Sequence, residues 1–139
     1  MSDSQRFPVA AHVLAYLAHK DALSAGSAVS SSELAQSVAT NPVVVRRVTA
    51  MLARAGLIGT RRGASGGAWL TRPAREISLD AVLRAVNAGA HVGVPRVGSK
   101  ECPVGERLPK AVQAAINAAD EAAARQLGAT SVADLLAAD

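Results

Sequence analysis

Half of the 139 residues are hydrophobic, but only 2% are aromatic, and alanine is abundant. This length suits one compact domain with an added dimerisation element, and a core of small aliphatic side chains favours packed helices over a sheet sandwich. A single cysteine excludes an intrachain disulfide framework, and no apolar run approaches the ~20 residues of a membrane span. The first residues lack the pattern of a signal peptide, so we expect a cytoplasmic protein.

The net charge of +4 is unevenly distributed. Residues 1–76 hold nine Lys and Arg against four Asp and Glu, whereas residues 77–139 hold six against seven. A local basic excess of this kind favours binding of a polyanion such as DNA. The sequence contains no Ser/His/Asp grouping or carboxylate pair that would predict an enzyme.

The first predicted element is a helix over residues 4–20, where apolar side chains recur at the helical period. A loop is expected over residues 21–29. Ser30 and Glu33 then form the S-x-x-E pattern of a capping box, in which each side chain accepts from the other residue's backbone N–H. This pattern predicts the start of a short second helix.

A third helix is predicted to begin at Asn41 and Pro42, which suit the N-cap and the first helical position. Gly56 suits its left-handed end. Two short strand candidates follow, residues 57–62 and 68–72. They flank a glycine-rich tip, so we expect a β-hairpin.

The C-terminal half is predicted to be helical apart from one loop. A fourth helix is expected over residues 78–88, a loop rich in Gly and Pro over 89–103, a long helix from Val104 to Leu127 ended by Gly128, and a short helix over 131–138. The long helix is ~35 Å at 1.5 Å per residue, more than a small body can cover, so it predicts a dimer. Its expected seam consists of Leu108, Val112, Ala115, Ala119 and Ala122.

Two capped helices followed by a basic hairpin predict a mainly α fold: a winged helix-turn-helix domain with a two-stranded wing and a long C-terminal dimerisation helix. The expected divisions are a DNA-binding domain (1–89), a flexible loop (90–103) and a dimerisation region with the last short helix (104–139). The third helix would enter the major groove and the wing would lie at the flanking minor groove. The DNA contacts predicted from these residues are Asn41, Val43, Val44, Arg46, Arg47, Arg61 and Arg62.

The run from Gly56 to Pro73 contains the pattern R-G-x-x-G-G-x-x-L-x-R after an A-G-L helix end, followed by Ile-Ser-Leu at residues 77–79. In these motifs, and over nearly its whole length, the chain resembles the Rrf2 family of bacterial winged-helix regulators. The resemblance implies a homodimer that binds an inverted-repeat operator and generally represses transcription. It also implies DNA contacts from Thr40 to Arg47 and from Arg61 to Gly67, which adds Thr40, Ser65, Gly66 and Gly67 to the predicted set. The alternative is a winged-helix module for protein–protein assembly without an operator.

Cluster-binding members of that family supply three closely spaced cysteines before the long helix, but this chain has only Cys102. One thiolate cannot hold an iron–sulfur cluster in the usual four-ligand manner, and His91 does not complete a zinc site, so we expect no cofactor and no metal. Two interpretations of Cys102 remain open. It is a redox or electrophile sensor at a helix N-terminus, or a structural thiol: a buried cysteine that packs the loop, or a vestige of a lost ligand set. The sequence does not identify an effector.

Overall fold

The computed structural model describes residues 3–87 and 92–138. The first helix, α1, spans Asp3–His19, within one residue of the prediction at each end. One face of it is fully buried at Val13, Leu14 and Leu17, around which the remaining elements pack.

The helix-turn-helix consists of α2 (Ser31–Val38) and α3 (Pro42–Arg54). Ala39, in the left-handed conformation at φ 64°, begins the three-residue turn between them. Asn41 accepts a hydrogen bond from the backbone N–H of Val43 through Oδ1 at 2.8 Å, which confirms the predicted N-cap.

The capping box predicted at Ser30 and Glu33 is only half formed. Ser30 Oγ accepts from the backbone N–H of Glu33 at 3.1 Å. The Glu33 carboxylate instead accepts from the Tyr16 hydroxyl at 2.7 Å, and Lys20 Nζ lies 3.6 Å away. The reciprocal prediction was wrong because a phenol and an ammonium from α1 are stronger partners for a carboxylate than one more backbone N–H.

The wing is an antiparallel pair of β1 (Ile58–Arg61) and β2 (Gly67–Leu70). Gly59 lies opposite Trp69, and a Cβ at Gly59 would come within 2.5 Å of the indole ring. Trp69 therefore packs over the hairpin and against the edge of the core, as expected for a hairpin packing residue.

The predicted loop over residues 21–29 is not wholly irregular. It contains a short 3₁₀ turn (Ala25–Ser27), and Val29 forms a β-bridge with Ala68 through two backbone hydrogen bonds of 2.9 Å. The prediction was wrong here because a bridge of one residue pair is too short to produce an alternating pattern.

In the C-terminal half, α4 spans Leu79–Val86, α5 spans Pro103–Gly128 and α6 spans Val132–Ala137. The end of the predicted fourth helix and the start of the predicted loop, residues 88–91, lie outside the described residues. Between 92 and 102 the described chain forms neither helix nor strand. Ser78 caps α4 by accepting from the backbone N–H of Ala81 at 3.1 Å.

Gly128 does not end α5 as predicted. It is the last residue of the helix, and Ala129 follows it in right-handed helical geometry. The next segment is held by β-bridge pairing of Ser131 with Ser78, so the chain turns without a left-handed glycine. A capping box does form at Ser131 and Asp134, where sequence analysis placed only a helix start.

The hydrophobic core joins α1, α3, α4, the wing and the first turn of α6, and α5 contributes little to it. The described part of the chain contains no helix long and apolar enough to cross a membrane. The largest fully buried side chains are those of Leu14, Leu17, Leu34, Leu52, Leu70, Ile77, Val13, Val45, Val48, Val82 and Val132.

Candidate DNA-binding surface

The recognition helix α3 has one buried side and one exposed side. Val45, Val48 and Leu52 are completely buried and fix the helix against the core. Arg46 and Arg47, on the opposite side, are exposed. An α-helix places residues three and four positions apart on the same face. Because Val45 and Val48 point into the core, Arg46 and Arg47 point away from it.

The start of α3 combines exposed and half-buried side chains. Val43 is 45% exposed, so its methyl groups are accessible to a ligand. Thr40 and Val44 are half-buried. The amide oxygen of Asn41 accepts the hydrogen bond that caps the helix, and its NH₂ group remains free to donate.

A groove of about 620 Å³ lies between the N-terminus of α2, the exposed side of α3 and the wing. Among the predicted contact residues it brings together Arg46, Arg61, Arg62, Gly66 and Gly67. Six others lie outside its lining. They are Thr40, Asn41, Val43, Val44, Arg47 and Ser65.

Thr40 lines a separate depression of about 340 Å³ with Ser32, Gln36 and Pro42. Ser32 also lines the groove, so the N-terminus of α2 borders both concave surfaces. The groove therefore gathers five of the eleven predicted contact residues, and the depression gathers Thr40 alone among them.

Sequence analysis missed part of the groove lining. Ser31, Ser32, Ala50 and Thr60 face it together with the predicted arginines. Sequence analysis interpreted Ser30 as a helix cap and gave Ser31 and Ser32 no role, yet backbone N–H groups and hydroxyls at a helix N-terminus are suited to phosphate oxygens. This preference of helix N-termini for phosphate could have identified the serines as contact candidates.

The charges of the arginines on this surface are not paired with carboxylates of the described chain. Among the described residues, no carboxylate lies within ion-pair distance of Arg46, Arg47, Arg61 or Arg62. The guanidinium of Arg61 donates weakly, at 3.5 Å, to the carbonyl of Ala25. The surface therefore presents four cations that a polyanion can neutralise.

The wing tip depends on glycine at two positions. Gly67 has φ 153°, and a Cβ there would collide with the carbonyl of Val29. A Cβ at Gly66 would collide with the carbonyl of Arg61. The first contact holds the wing against the segment that precedes α2, and the second lies within the hairpin itself.

The family model described as Rrf2, iron-dependent transcriptional regulator, matches residues 3–138. The chain belongs to the Rrf2 family. It is similar to a Bacillus subtilis (strain 168) protein named as the HTH-type transcriptional regulator YwnA, with 32% identity over 96% of each chain. The Rrf2 chain is thus a DNA-binding transcriptional regulator and, like its relatives, not an enzyme.

Solved structures show the same architecture. One, described as a DNA-binding protein, is 32% identical, with a TM-score of 0.73, and the match covers 94% of this chain and 98% of that one. Another, a transcriptional regulator from Lactobacillus plantarum, is 26% identical, with a TM-score of 0.78 over 96% and 88% of the two chains. The mainly α winged helix-turn-helix fold with a long C-terminal helix is therefore confirmed.

Cys102 of this Rrf2 regulator is exposed, immediately before α5. The interpretation of a buried cysteine that packs the loop was therefore wrong. The nearby backbone N–H groups of Gly105 and Val104, at the start of α5, lower the pKa of the thiol from its ordinary value because they favour the thiolate.

The residues present do not fit the iron that the family description names. Cys102 is the chain's single cysteine, and the described residues contain no group of three His, Cys, Asp or Glu side chains that could hold a metal ion. His91 lies outside the described residues. One exposed thiol per chain supplies too few ligands for an iron–sulfur cluster.

Proposed function

We propose that the chain is a cytoplasmic repressor that binds an inverted-repeat operator as a homodimer. The N-terminal part of α3, residues 40–47, reads bases in the major groove, and the wing, residues 61–67, holds the flanking minor groove. The observation that carries the proposal is the groove between α2, α3 and the wing, with its unpaired arginines.

The different positions of the arginines on α3 and on the wing support different roles in DNA binding. Arg46 and Arg47 are exposed on a helix whose other side is anchored in the core, a rigid arrangement that suits direct base contacts. Arg61 and Arg62 are carried by a short hairpin and suit contact with a narrow minor groove or with phosphates. Val43, exposed near the start of α3, would touch a thymine methyl in this arrangement.

A homodimer is supported by the exposed apolar side of α5. Val104, Leu108 and Val112 are 59%, 53% and 38% exposed, and the three alanines that complete the predicted seam are exposed as well. A two-fold dimer would place two recognition helices about one helical turn of DNA apart, which requires an operator with inverted symmetry.

Selection of operator DNA from a random duplex pool, followed by titration at several salt concentrations, tests this function. We expect one palindromic sequence, bound by two chains, with affinity that falls steeply as salt rises. Selection of no sequence, with weak binding of all duplexes, would favour the alternative of a protein–protein assembly module. Placement of the selected operator upstream of a reporter separates repression from activation.

We further propose that the regulator works without a cofactor and responds to oxidants through Cys102. The exposure and lowered pKa of this thiol support reactivity with a peroxide or a disulfide. Operator affinity measured before and after diamide, with Cys102→Ser as control, tests the sensor. Unchanged affinity of the oxidised protein would refute it, and stoichiometric iron or sulfide in protein purified without oxygen would refute the absence of a cluster.

A further inference from the structure

The segment that forms the DNA-binding groove contains a single acid. Between Asp21 and Glu76 the chain has seven arginines, and Glu33 is its one carboxylate. Glu33 lies in the first turn of α2. Its neighbours in sequence, residues 30–32 and 34, line the groove, whereas Glu33 does not. The one acid of this basic segment is therefore beside the groove but outside its lining.

Two side chains hold the Glu33 carboxylate in this position. Tyr16 is on α1, and Lys20 follows that helix one turn later, so both reach the same oxygen. The Tyr16 hydroxyl donates to Oε2 of Glu33 at 2.7 Å, and Lys20 Nζ lies 3.6 Å from the same atom. The hydrogen bond to Glu33 raises the pKa of Tyr16 above its ordinary value, so the hydroxyl keeps its proton and remains a donor. Neither Tyr16 nor Lys20 lines the groove.

The carboxylate has a second favourable position, which would bring its charge to the groove. In a complete capping box it would accept from the backbone N–H of Ser30, a residue of the groove lining. Within the described parts of the chain that N–H has no hydrogen-bond partner. Arg46 and Arg61 line the same groove. A carboxylate at Ser30 would offset their charge and repel the phosphates of an approaching duplex.

We propose that Tyr16 and Lys20 are positioning residues for DNA binding, which hold the Glu33 carboxylate away from the groove so that phosphates meet its arginines without a competing acid. This inference rests on the proposed role of the groove in operator binding. Tyr16 and Lys20 act only through the charge of Glu33, so their contribution should vanish when Glu33 is replaced by a neutral residue. A structural brace between α1 and α2 would keep its contribution after that replacement.

Tyr16→Phe in two backgrounds tests the inference, because it removes the hydroxyl without a change of net charge. With Glu33 present, we expect about a two- to fivefold loss of operator affinity at low salt, the effect of one charge several ångströms from a phosphate. In Glu33→Gln protein, which keeps the size of the side chain without its charge, the same substitution should leave the affinity unchanged. Glu33→Gln alone should bind at least as tightly as the wild-type protein. Fluorescence anisotropy on the selected operator measures all four proteins.

Ionic strength provides a second readout, which a purely structural role would not move. Salt screens the repulsion between an exposed carboxylate and phosphates. The ratio of wild-type affinity to Tyr16→Phe affinity should therefore fall towards one as salt rises from about 0.05 M to about 0.3 M. A ratio that stays constant over this range would indicate a lost packing contact and would overturn the inference.

Lys20→Gln and Arg84→Gln form a matched pair, because each removes one cation that pairs with a carboxylate. Arg84 Nε lies 3.1 Å from a carboxylate oxygen of Asp80 on α4, and neither residue lines the groove. We expect Lys20→Gln to weaken operator binding more than Arg84→Gln does. In the Glu33→Gln background this difference should disappear. Equal losses from the two substitutions in the wild-type background would overturn the role of Lys20.

The wild-type measurement separates this inference from the proposed function. Equal losses from Tyr16→Phe in both backgrounds, or a loss of affinity in Glu33→Gln alone, would overturn the inference and leave operator binding intact. A wild-type protein that selects no operator would refute the proposed function and the inference with it. Circular dichroism of every variant at the assay temperature shows whether it is folded, so that a loss of affinity is not assigned to unfolded protein.

Discussion

The recognition helix α3 and the long helix α5 differ in how each is held. Four of the 13 residues of α3 are buried: Val45, Val48, Thr49 and Leu52. In α5, Ile116 is the one buried residue among 26. Helix α3 is thus fixed by its own chain, whereas most of the apolar surface of α5 is exposed. Core mutations should act on folding, and mutations of the exposed apolar residues Leu108 and Val112 should act on association if the proposed homodimer forms.

The largest expected effect is the loss of a core leucine. Leu52→Ala should lower the free energy of unfolding by about 2–5 kcal/mol, because it removes buried methyl groups and leaves a cavity. The same substitution at Leu108, which is 53% exposed, should cost less than about 1 kcal/mol in dilute protein. Urea denaturation measures both. Equal losses in dilute solution would contradict the comparison between α3 and α5.

Next in size is the expected effect of Arg46 on sequence recognition. Arg46→Ala should weaken operator binding by about 1–3 kcal/mol, or five- to 150-fold, if its guanidinium contacts a base. Arg54→Ala, an exposed arginine at the other end of the same helix, is the matched control and should have little effect. Neither change should alter the dimer mass in sedimentation. Equal losses for the two arginines would indicate a nonspecific charge effect.

The wing should contribute through phosphate neutralisation or groove width. Arg62→Ala is expected to reduce the slope of log affinity against log salt by about 0.9, the value for one phosphate contact. Arg125→Ala, on the polar side of α5, should leave the slope unchanged. An unaltered slope in Arg62→Ala would place the wing away from the DNA backbone.

The smallest expected effect concerns Cys102 at the start of α5. The nearby backbone N–H groups lower its pKa, so more thiolate is present at a given pH. The rate of alkylation should therefore rise over a lower pH range in the folded protein than in the same protein unfolded in guanidinium chloride. Because the chain has one cysteine, no other thiol confuses the measurement. Coincident pH profiles would show that the helix start does not activate the thiol.

Local signals explain why most elements could be predicted. Asn41 with Pro42, Gly56 and Ser78 mark helix ends through their own backbone preferences, and the structure confirms each of them. Gly56, for example, has φ 78°, as a left-handed helix end requires. Gly128 is also a glycine at a helix end, but it does not adopt the left-handed geometry, because pairing between Ser78 and Ser131 determines the path of the chain there.

Long-range partners could not be predicted. The hydrogen bond from Tyr16 to Glu33 joins residues 17 positions apart, and it engages the carboxylate that the predicted capping box required. The β-bridge between Val29 and Ala68 joins two segments whose sequences share no pattern that would predict their pairing. The same reason limited the site: the sequence predicted the arginines by type, but the groove that gathers only part of the contact set depends on how the wing packs on α3 and on the segment before α2.

The contact between α1 and α6 brings the first and last helices of the described chain together. Val132 at the start of α6 is fully buried, and its backbone N–H donates to the carbonyl of Ile77 at 2.9 Å. The first and last helices of the described chain thus pack on the same body, and the segment 92–101 is mostly exposed and forms neither helix nor strand. New termini placed there, with the old ends joined by a short linker, define a circular permutant that would retain every helix of the DNA-reading body in one continuous segment.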